Sequence, residues 1–216
     1  APRRCTVSRS VSKARRSAAV DRAAASGRSE DAEVQDQKHD GRRRRDRPEG
    51  GPEHPEPEGV LGEGPVAVDT ETMGLHPGRD RLCLVQISDG GGDEHLVRFA
   101  AGTNYNAPNL KSVLTDPKRL KLYHFARFDL ASIMAYLNVM AEPVYCTKTA
   151  SRLIRTYTDR HGLKDVVRET IGVELSKQQQ SSDWGADVLS EAQKEYAASD
   201  VRYLHRVREV LDPRLA

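Results

Sequence analysis

Short apolar runs separated by turn residues begin at about Val60 and predict a folded region that starts with strands. Strands are predicted over 65–69, 81–88 and 95–99, and the connections between them are short. The glycine run at 90–92 marks one of the turns. Three strands joined in this way predict an antiparallel meander.

Farther along the chain, the apolar spacing alternates between the helix and strand periods. Pro108 suits the first position of a helix. Ser190 can cap a last helix that runs to about Leu211, because Gln193 follows three residues later. A meander followed by alternating helices and strands predicts an α/β domain with a mixed central sheet flanked by helices. Helices are predicted over 109–114, 126–137, 147–156 and 163–171, and further strands over 119–124 and 143–146.

The first 58 residues have a different composition. They contain no Leu, Ile, Met, Phe, Tyr or Trp. Such a segment cannot bury enough apolar surface to offset the entropy of ordering it. Residues 1–58 are therefore predicted to form a disordered low-complexity tail, followed by a domain at 59–216. The basic, serine-rich start is compatible with organelle targeting, with electrostatic contact to nucleic acid, or with an extension that has no role. We favour the last.

The formal net charge of +2 hides an uneven distribution. Residues 1–58 hold 14 of the 34 Lys+Arg and 11 of the 32 Asp+Glu, which leaves 20 basic and 21 acidic residues for 59–216. A globally basic binding surface is thereby excluded for the domain, so any nucleic-acid binding would need a local patch.

The three cysteines show no CxxC spacing and suit a reducing compartment, so a cytoplasmic location is expected. No stretch has the length and hydropathy of a membrane span or the apolar centre of a secretory signal. No membrane association is expected.

Two carboxylates, Asp69 and Glu71, follow the first apolar run at a spacing of two. Residues i and i+2 of a strand project from the same face, so these side chains are expected side by side. Neighbouring carboxylates repel each other unless a proton or a cation lies between them. The pair indicates either a cation site or, with equal weight, a strand end whose acids face water.

Two further acids decide between these alternatives. Asp129 follows a predicted strand end at the start of an apolar helix, and Asp200 lies on the last helix, where Tyr196 shares its face. Each acid alone is typical of a helix cap or a solvated residue. Together with Asp69 and Glu71, however, they favour a site for a hard cation with oxygen ligands, Mg²⁺ or Mn²⁺.

The order and spacing of these residues carry a family resemblance. Asp69-x-Glu71, then Asp129, then Tyr196-x-x-x-Asp200 resemble the three motifs of the DEDDy branch of the DEDD 3′→5′ exonucleases. The separations are similar to those of a ribonuclease D catalytic domain, and the resemblance covers about residues 60–211.

Within that family, the chain resembles the short stand-alone group called nano-RNase C. The stretches 69–72, 124–130 and 157–164 carry this resemblance. The run 177–184 (KQQQSSDW) resembles the ribonuclease D pattern of a lysine followed by Ser-Asp-Trp. One departure is Cys146, which stands where many ribonuclease D proteins have an aspartate.

The resemblance implies a ribonuclease H-like fold and a two-metal phosphodiesterase site. A tyrosine pKa of about 10 makes Tyr196 a poor base on its own, so its implied role is to orient the attacking water. Two divalent cations, Mg²⁺ or Mn²⁺, are implied as cofactors. The implied metal ligands are Asp69, Glu71, Asp129 and Asp200, and the implied catalytic residues are Tyr196 and Glu71.

Candidate substrate-binding residues lie beside these motifs. Leu75 follows the Asp-x-Glu turn and either wedges against a base or closes the turn as a core leucine. The polar loop after residue 176 either contacts phosphate and sugar or is simply exposed. The candidate substrate-binding residues are Thr70, Leu75, His124, Phe125, Lys177 and Gln180.

The expected activity is metal-dependent 3′→5′ hydrolysis of short oligoribonucleotides, dinucleotides among them, with release of nucleoside 5′-monophosphates. Only about a dozen helical residues follow Asp200, so the helical RNA-binding modules of full-length ribonuclease D are not expected. The resemblance further implies a ring-like homo-oligomer, an octamer. The alternatives are an exonuclease on DNA ends or longer RNA 3′ ends and, ranked low because no ligand is lost, an inactive nucleic-acid-binding scaffold.

Overall fold

A computed structural model of the chain describes residues 5–10, 61–176 and 178–215. Six strands form one sheet: β1 (Cys5–Ser10), β2 (Val66–Thr72), β3 (Leu82–Ser88), β4 (Glu94–Phe99), β5 (Lys121–Tyr123) and β6 (Val144–Cys146). Their order is β1-β4-β3-β2-β5-β6. Strands β2, β3 and β4 pair antiparallel, whereas β5 pairs parallel with both β2 and β6. The predicted meander and the mixed sheet are both confirmed.

The helices follow the predicted order. They are α1 (Pro108–Thr115), α2 (Ala126–Leu137), α3 (Thr147–Ile154), α4 (Leu163–Ile171), α5 (Glu191–Arg202) and α6 (Leu204–Leu211), followed by a 3₁₀ turn at Asp212–Arg214. The capping box predicted at Ser190 is confirmed: its hydroxyl accepts from the Gln193 N–H at 3.2 Å, and the Gln193 side chain accepts from the Ser190 N–H at 3.0 Å. None of the described helices is long and apolar enough to cross a membrane.

The last helix is broken where one continuous helix was predicted. Tyr203 separates α5 from α6. Before the break, Ala197 packs with β3 and β4 residues, whereas after it Val207 and Leu211 pack with residues of α3 and α4. The two halves therefore cover different parts of the core, a change of direction that helical periodicity does not encode.

The sheet lies between two helical layers. On one face, Val66 and Val68 of β2 belong to the same apolar cluster as Ile133 of α2. On the other face, Ala67 clusters with Val201 of α5 and with the first residue of α6. Because side chains alternate along a strand, Asp69 and Glu71 share the α5 face with Ala67, and Thr70 shares the α2 face. The sheet thus presents the acidic pair to α5.

Strand β1 differs from the prediction of a disordered segment over 1–58. It pairs antiparallel with β4, from Cys5 opposite Phe99 to Ser10 opposite Glu94. Disorder was predicted only from the small apolar surface that this segment can bury. An edge strand also presents a row of unpaired backbone groups, and a short segment containing the β-branched Thr6 and Val7 can bond to it without a large apolar side chain. Residues 11–60 lie outside the described part, so the rest of the predicted tail stays a prediction, as does the domain boundary.

An ion pair fixes α5 to the sheet. Arg202 Nε and Nη2 donate to the two carboxylate oxygens of Glu94 on β4 at 2.9 and 3.1 Å. The Glu94 side chain is 3% exposed, whereas that of Glu195, the second acid on Arg202, is 52% exposed. The bidentate contact with Glu94 therefore fixes the end of the helix that carries Tyr196 and Asp200.

Arg202→Met should lower the free energy of unfolding by about 3 kcal/mol, because it leaves the buried Glu94 carboxylate without its partner. Urea unfolding followed by circular dichroism at pH 7 measures this. Glu195→Gln is the matched control and should change stability by no more than about 0.5 kcal/mol, since it removes only an exposed ion pair. Equal losses in the two variants would show that burial of Glu94 does not matter.

Candidate active site

Three carboxylates meet where β2 faces α5. One carboxylate oxygen from each of Asp69, Glu71 and Asp200 lies within 4.8 Å of the other two. All three residues are partly buried. The structure thus brings together acids that are more than 125 residues apart in sequence. Asp69 and Glu71 thus point into a shared acidic cluster with Asp200.

Asp129 approaches from the α2 side. Phe125, at the N-cap of α2, has a left-handed backbone (φ 74°, ψ 46°) that turns the chain from β5 into the helix. Asp129 lies in the first turn, is 3% exposed, and accepts a 2.7 Å hydrogen bond from the Thr70 hydroxyl. It lies outside the 4.8 Å group, but its charge acts on both Asp69 and Glu71. All four predicted acids therefore belong to one electrostatic cluster.

The four carboxyl groups hold protons more tightly than usual. Burial, followed by repulsion from Asp200 and Asp129, raises the pKa of Glu71 to about 9. Burial is also the largest cause that raises the pKa of Asp129 and Asp200 to about 7 and that of Asp69 well above its ordinary value. Among the described residues, no lysine or arginine pairs with any of the four. The described residues thus leave the charge of the cluster unbalanced, and oxygen donors of this kind fit divalent cations such as Mg²⁺ and Mn²⁺.

Tyr196 lies on the same face of α5 as Asp200, and its phenol lowers the pKa of the Asp200 carboxyl, although burial raises it more. Burial, followed by the charges of Asp200, Glu71 and Asp69, raises the pKa of the Tyr196 phenol. The phenol is therefore protonated near neutral pH and can donate a hydrogen bond. Its ring packs against buried Trp184 with the centroids 6.1 Å apart, which fixes its orientation.

The predicted substrate-binding residues have different surroundings. Leu75 is 79% exposed, so it is not a core leucine, and Phe125 is 44% exposed. Thr70 is buried and bonds Asp129, which gives it a partner other than substrate. Gln180 is exposed in the turn that begins at residue 178. Lys177 lies outside the described residues.

His124 is held by its neighbours. Its Nδ1 lies 2.9 Å from the Thr147 hydroxyl and its Nε2 lies 3.1 Å from the His161 carbonyl oxygen. Burial, followed by the nearby Lys148, lowers the pKa of His124 to about 4, although the contact with the His161 carbonyl opposes this shift. Both ring nitrogens are thus in use, which leaves neither for a metal ion and ties the β5–α2 turn to the segment before α4.

Gln86 is a site residue that the sequence analysis missed. It is fully buried on β3 directly opposite Asp69, and its Nε2 donates to Asp69 Oδ2 at 3.3 Å. A signal was present in the sequence, since Gln86 is a polar residue that directly follows four apolar ones in a strand beside the acidic one. The role of the loop before α5 was also not predicted. Arg81 donates to the carbonyl oxygen of Gly185, and Arg98 donates to that of Ala186. These hydrogen bonds hold Trp184, in the same loop, against Tyr196.

Known proteins are similar to this chain in sequence and fold. The 3′-5′ exonuclease family model matches residues 58–216. Ribonuclease D of Gluconacetobacter diazotrophicus is 33% identical over 150 residues, which cover 69% of this chain and 37% of that protein. The chain thus spans well under half the length of this relative.

Solved structures are similar over the same region. Brucella melitensis NrnC is 58% identical, with a TM-score of 0.67 over 69% of this chain and 72% of that chain. It has also been solved bound to pGG and with bound Mg²⁺. Escherichia coli RNase D, an exoribonuclease involved in structured RNA processing, is 30% identical with a TM-score of 0.60, over 69% of this chain and 39% of that one. The predicted ribonuclease H-like fold is confirmed, and the chain belongs to the 3′-5′ exonuclease family of hydrolases, in its ribonuclease D branch and with NrnC among its structural neighbours.

Proposed function

We propose that this chain is a metal-dependent 3′→5′ exoribonuclease that hydrolyses short oligoribonucleotides, dinucleotides included, and releases nucleoside 5′-monophosphates. The observation that carries the proposal is a cluster of four carboxyl groups with raised pKa and no cationic partner among the described residues, beside a protonated tyrosine. The binding of pGG by NrnC, at 57% identity, supports a short substrate.

In this proposal Asp69, Glu71, Asp129 and Asp200 hold two divalent cations. When bound, such cations lower the pKa of the attacking water and stabilise charge on the attacking and leaving oxygens. Tyr196 donates its phenol hydrogen to orient the water. Glu71 lies close to this phenol, since its charge acts directly on Tyr196. The chain's own part is thus to fix the carboxylates and the phenol before substrate arrives.

Substrate contacts are proposed for the exposed apolar residues at the rim. Leu75 and Phe125 are exposed near elements that carry acids, and each can pack against a base. Lys148 Nζ lies 4.1 Å from the centre of the Phe125 ring, so positive charge is available there for phosphate. Lys177 and Gln180 remain proposed contacts to phosphate or sugar.

The decisive experiment is a length series. Purified protein with Mn²⁺ is incubated with end-labelled RNA of about two to twenty nucleotides and with matching DNA. We expect the fastest turnover on the shortest RNA and nucleoside 5′-monophosphates as products, since NrnC, at 57% identity, has been solved bound to the short pGG. Equal efficiency at all lengths, or on DNA, would favour the alternative of a general exonuclease. No hydrolysis with any metal would favour the inactive scaffold.

We also propose that the chain acts in the cytoplasm and assembles into a ring-like homo-oligomer, an octamer. The assembly follows from the resemblance to nano-RNase C, and the reducing location from free cysteines at positions 83 and 146. Size-exclusion chromatography coupled to light scattering tests the assembly, and a monomer at micromolar concentration would refute it.

A further inference from the structure

Two of the four acids are held by buried neutral donors. On β3, Gln86 Nε2 donates to Asp69 Oδ2 at 3.3 Å across the strand pair. On β2, the Thr70 hydroxyl donates to Asp129 Oδ1 at 2.7 Å, so one strand residue fixes an acid that belongs to α2. Gln86 is fully buried and Thr70 is 5% exposed. Neither donor can therefore be replaced by water without rearrangement of the core.

The chemistry of these donors suits acids that must keep their charge for a cation. A lysine or arginine at either position would fix the carboxylate but would also neutralise it. An amide or a hydroxyl supplies a directional hydrogen bond and no net charge. A carboxylate has about four lone-pair positions on its two oxygens, so one fixed hydrogen bond leaves others for ligation.

The Gln86 amide also has a feature that a purely structural role does not explain. Its Oε1 is buried and has no hydrogen-bond partner within the part of the chain that the structure describes. A buried amide with one unsatisfied end destabilises a fold relative to an apolar side chain of the same shape. Among the described residues, the side-chain partner of Gln86 is the Asp69 carboxylate, so the benefit of Gln86 is expected there and not in the stability of the sheet.

We propose that Gln86 and Thr70 are positioning residues that fix the rotamers of Asp69 and Asp129 for divalent-cation binding, and that Gln86 does so at a loss of fold stability. This inference rests on the metal site of the proposed function. Neither residue touches the reacting atoms; each acts through the acid that it holds. Partners of this kind typically change metal affinity by about 10- to 100-fold.

The test for Gln86 separates metal affinity from stability. Binding of Mn²⁺ without substrate is followed from the electron paramagnetic resonance signal of the free ion, and melting is recorded in EDTA. For Gln86→Met, a near-isostere without a donor, we expect Mn²⁺ affinity to fall about 10- to 100-fold while the Tm in EDTA stays the same or rises. A lower Tm with unchanged Mn²⁺ affinity would overturn the inference and make Gln86 a structural residue.

Matched variants control for the loss of a buried polar group as such. Ser88→Ala changes another buried polar residue on the same strand, one that contacts the Asp93 carbonyl and the Gly90 N–H, and it should leave Mn²⁺ affinity unchanged. Thr70→Val should weaken Mn²⁺ binding, whereas Thr70→Ser keeps the hydroxyl and should restore it. Weak binding in both Thr70 variants would contradict the proposed role of the hydroxyl.

The two proposals fail in different ways. If the wild-type protein binds no Mn²⁺, the proposed function fails. If the wild type binds Mn²⁺ and Gln86→Met binds it equally well, only the positioning role fails.

Discussion

Asp200→Asn should lower the rate of hydrolysis of short RNA by about 10³-fold or more and should raise the Tm of the metal-free protein. Asparagine keeps the shape of the side chain but removes the charge. Loss of a ligand charge removes several kcal/mol of transition-state stabilisation, and each 1.4 kcal/mol or so is tenfold in rate. The metal-free fold gains because Asp200 repels Glu71 and Asp69.

The measurement combines initial rates on labelled RNA in Mn²⁺ with melting curves in EDTA. Glu195→Gln is the matched control, since it removes an exposed acid from the same helix, and it should keep wild-type rates. Tyr196→Phe gives the intermediate case: it should slow hydrolysis and leave Mn²⁺ binding intact, because the proposed role of the phenol is to orient water and not to ligate a cation. Wild-type turnover by Asp200→Asn would refute the assignment of the site.

Most of the fold could be predicted from the sequence, because the patterns that indicate strands, caps and helix starts are local. Strand alternation, the Ser190 capping box and Pro108 at a helix start are each set by a few neighbouring residues, and all are seen in the structure. Strand β1 and the break at Tyr203 depend instead on distant partners: an unpaired sheet edge and two separate parts of the core. Neither the strand nor the break changes the periodicity of its own segment, so the sequence pattern did not predict them.

The residues of the site likewise fall into those that local sequence patterns predict and those that depend on distant partners. The acids were found because carboxylates in apolar surroundings are unusual wherever they occur. The contacts that hold the acids could not be predicted because they depend on register. Gln86 was missed and lies opposite Asp69, and Thr70, a candidate for substrate binding, donates to Asp129, which α2 brings to it. Arg155 shows the same limit. An arginine is typical of a solvated helix face, but the structure buries this one against Ser151, the Arg160 carbonyl and Glu169, where it ties α3 to α4.

Raising the pH from 6.5 to 8 should destabilise the metal-free protein, and Mg²⁺ or Mn²⁺ should reverse that loss. The folded chain holds protons in this range because the pKa of Glu71 is about 9 and those of Asp129 and Asp200 are about 7. The unfolded chain holds almost none, since ordinary carboxyl pKa values are about 4. When the folded state binds more protons, stability falls as pH rises, by about 1.4 kcal/mol per pH unit for each proton retained.

The chosen window isolates the acidic cluster. His124 has a folded pKa of about 4, so its effect has the opposite sign and acts between that value and its ordinary pKa of about 6.5, below the window. Divalent cations bind the ionised carboxylates of the folded state, so the stability that they add should grow with pH. Melting curves at pH 6.5 and 8, in EDTA and in millimolar Mg²⁺, measure both effects. Asp200→Asn should flatten the pH dependence in EDTA, and a wild-type Tm that stays level or rises with pH in EDTA would contradict a buried, unneutralised carboxylate cluster.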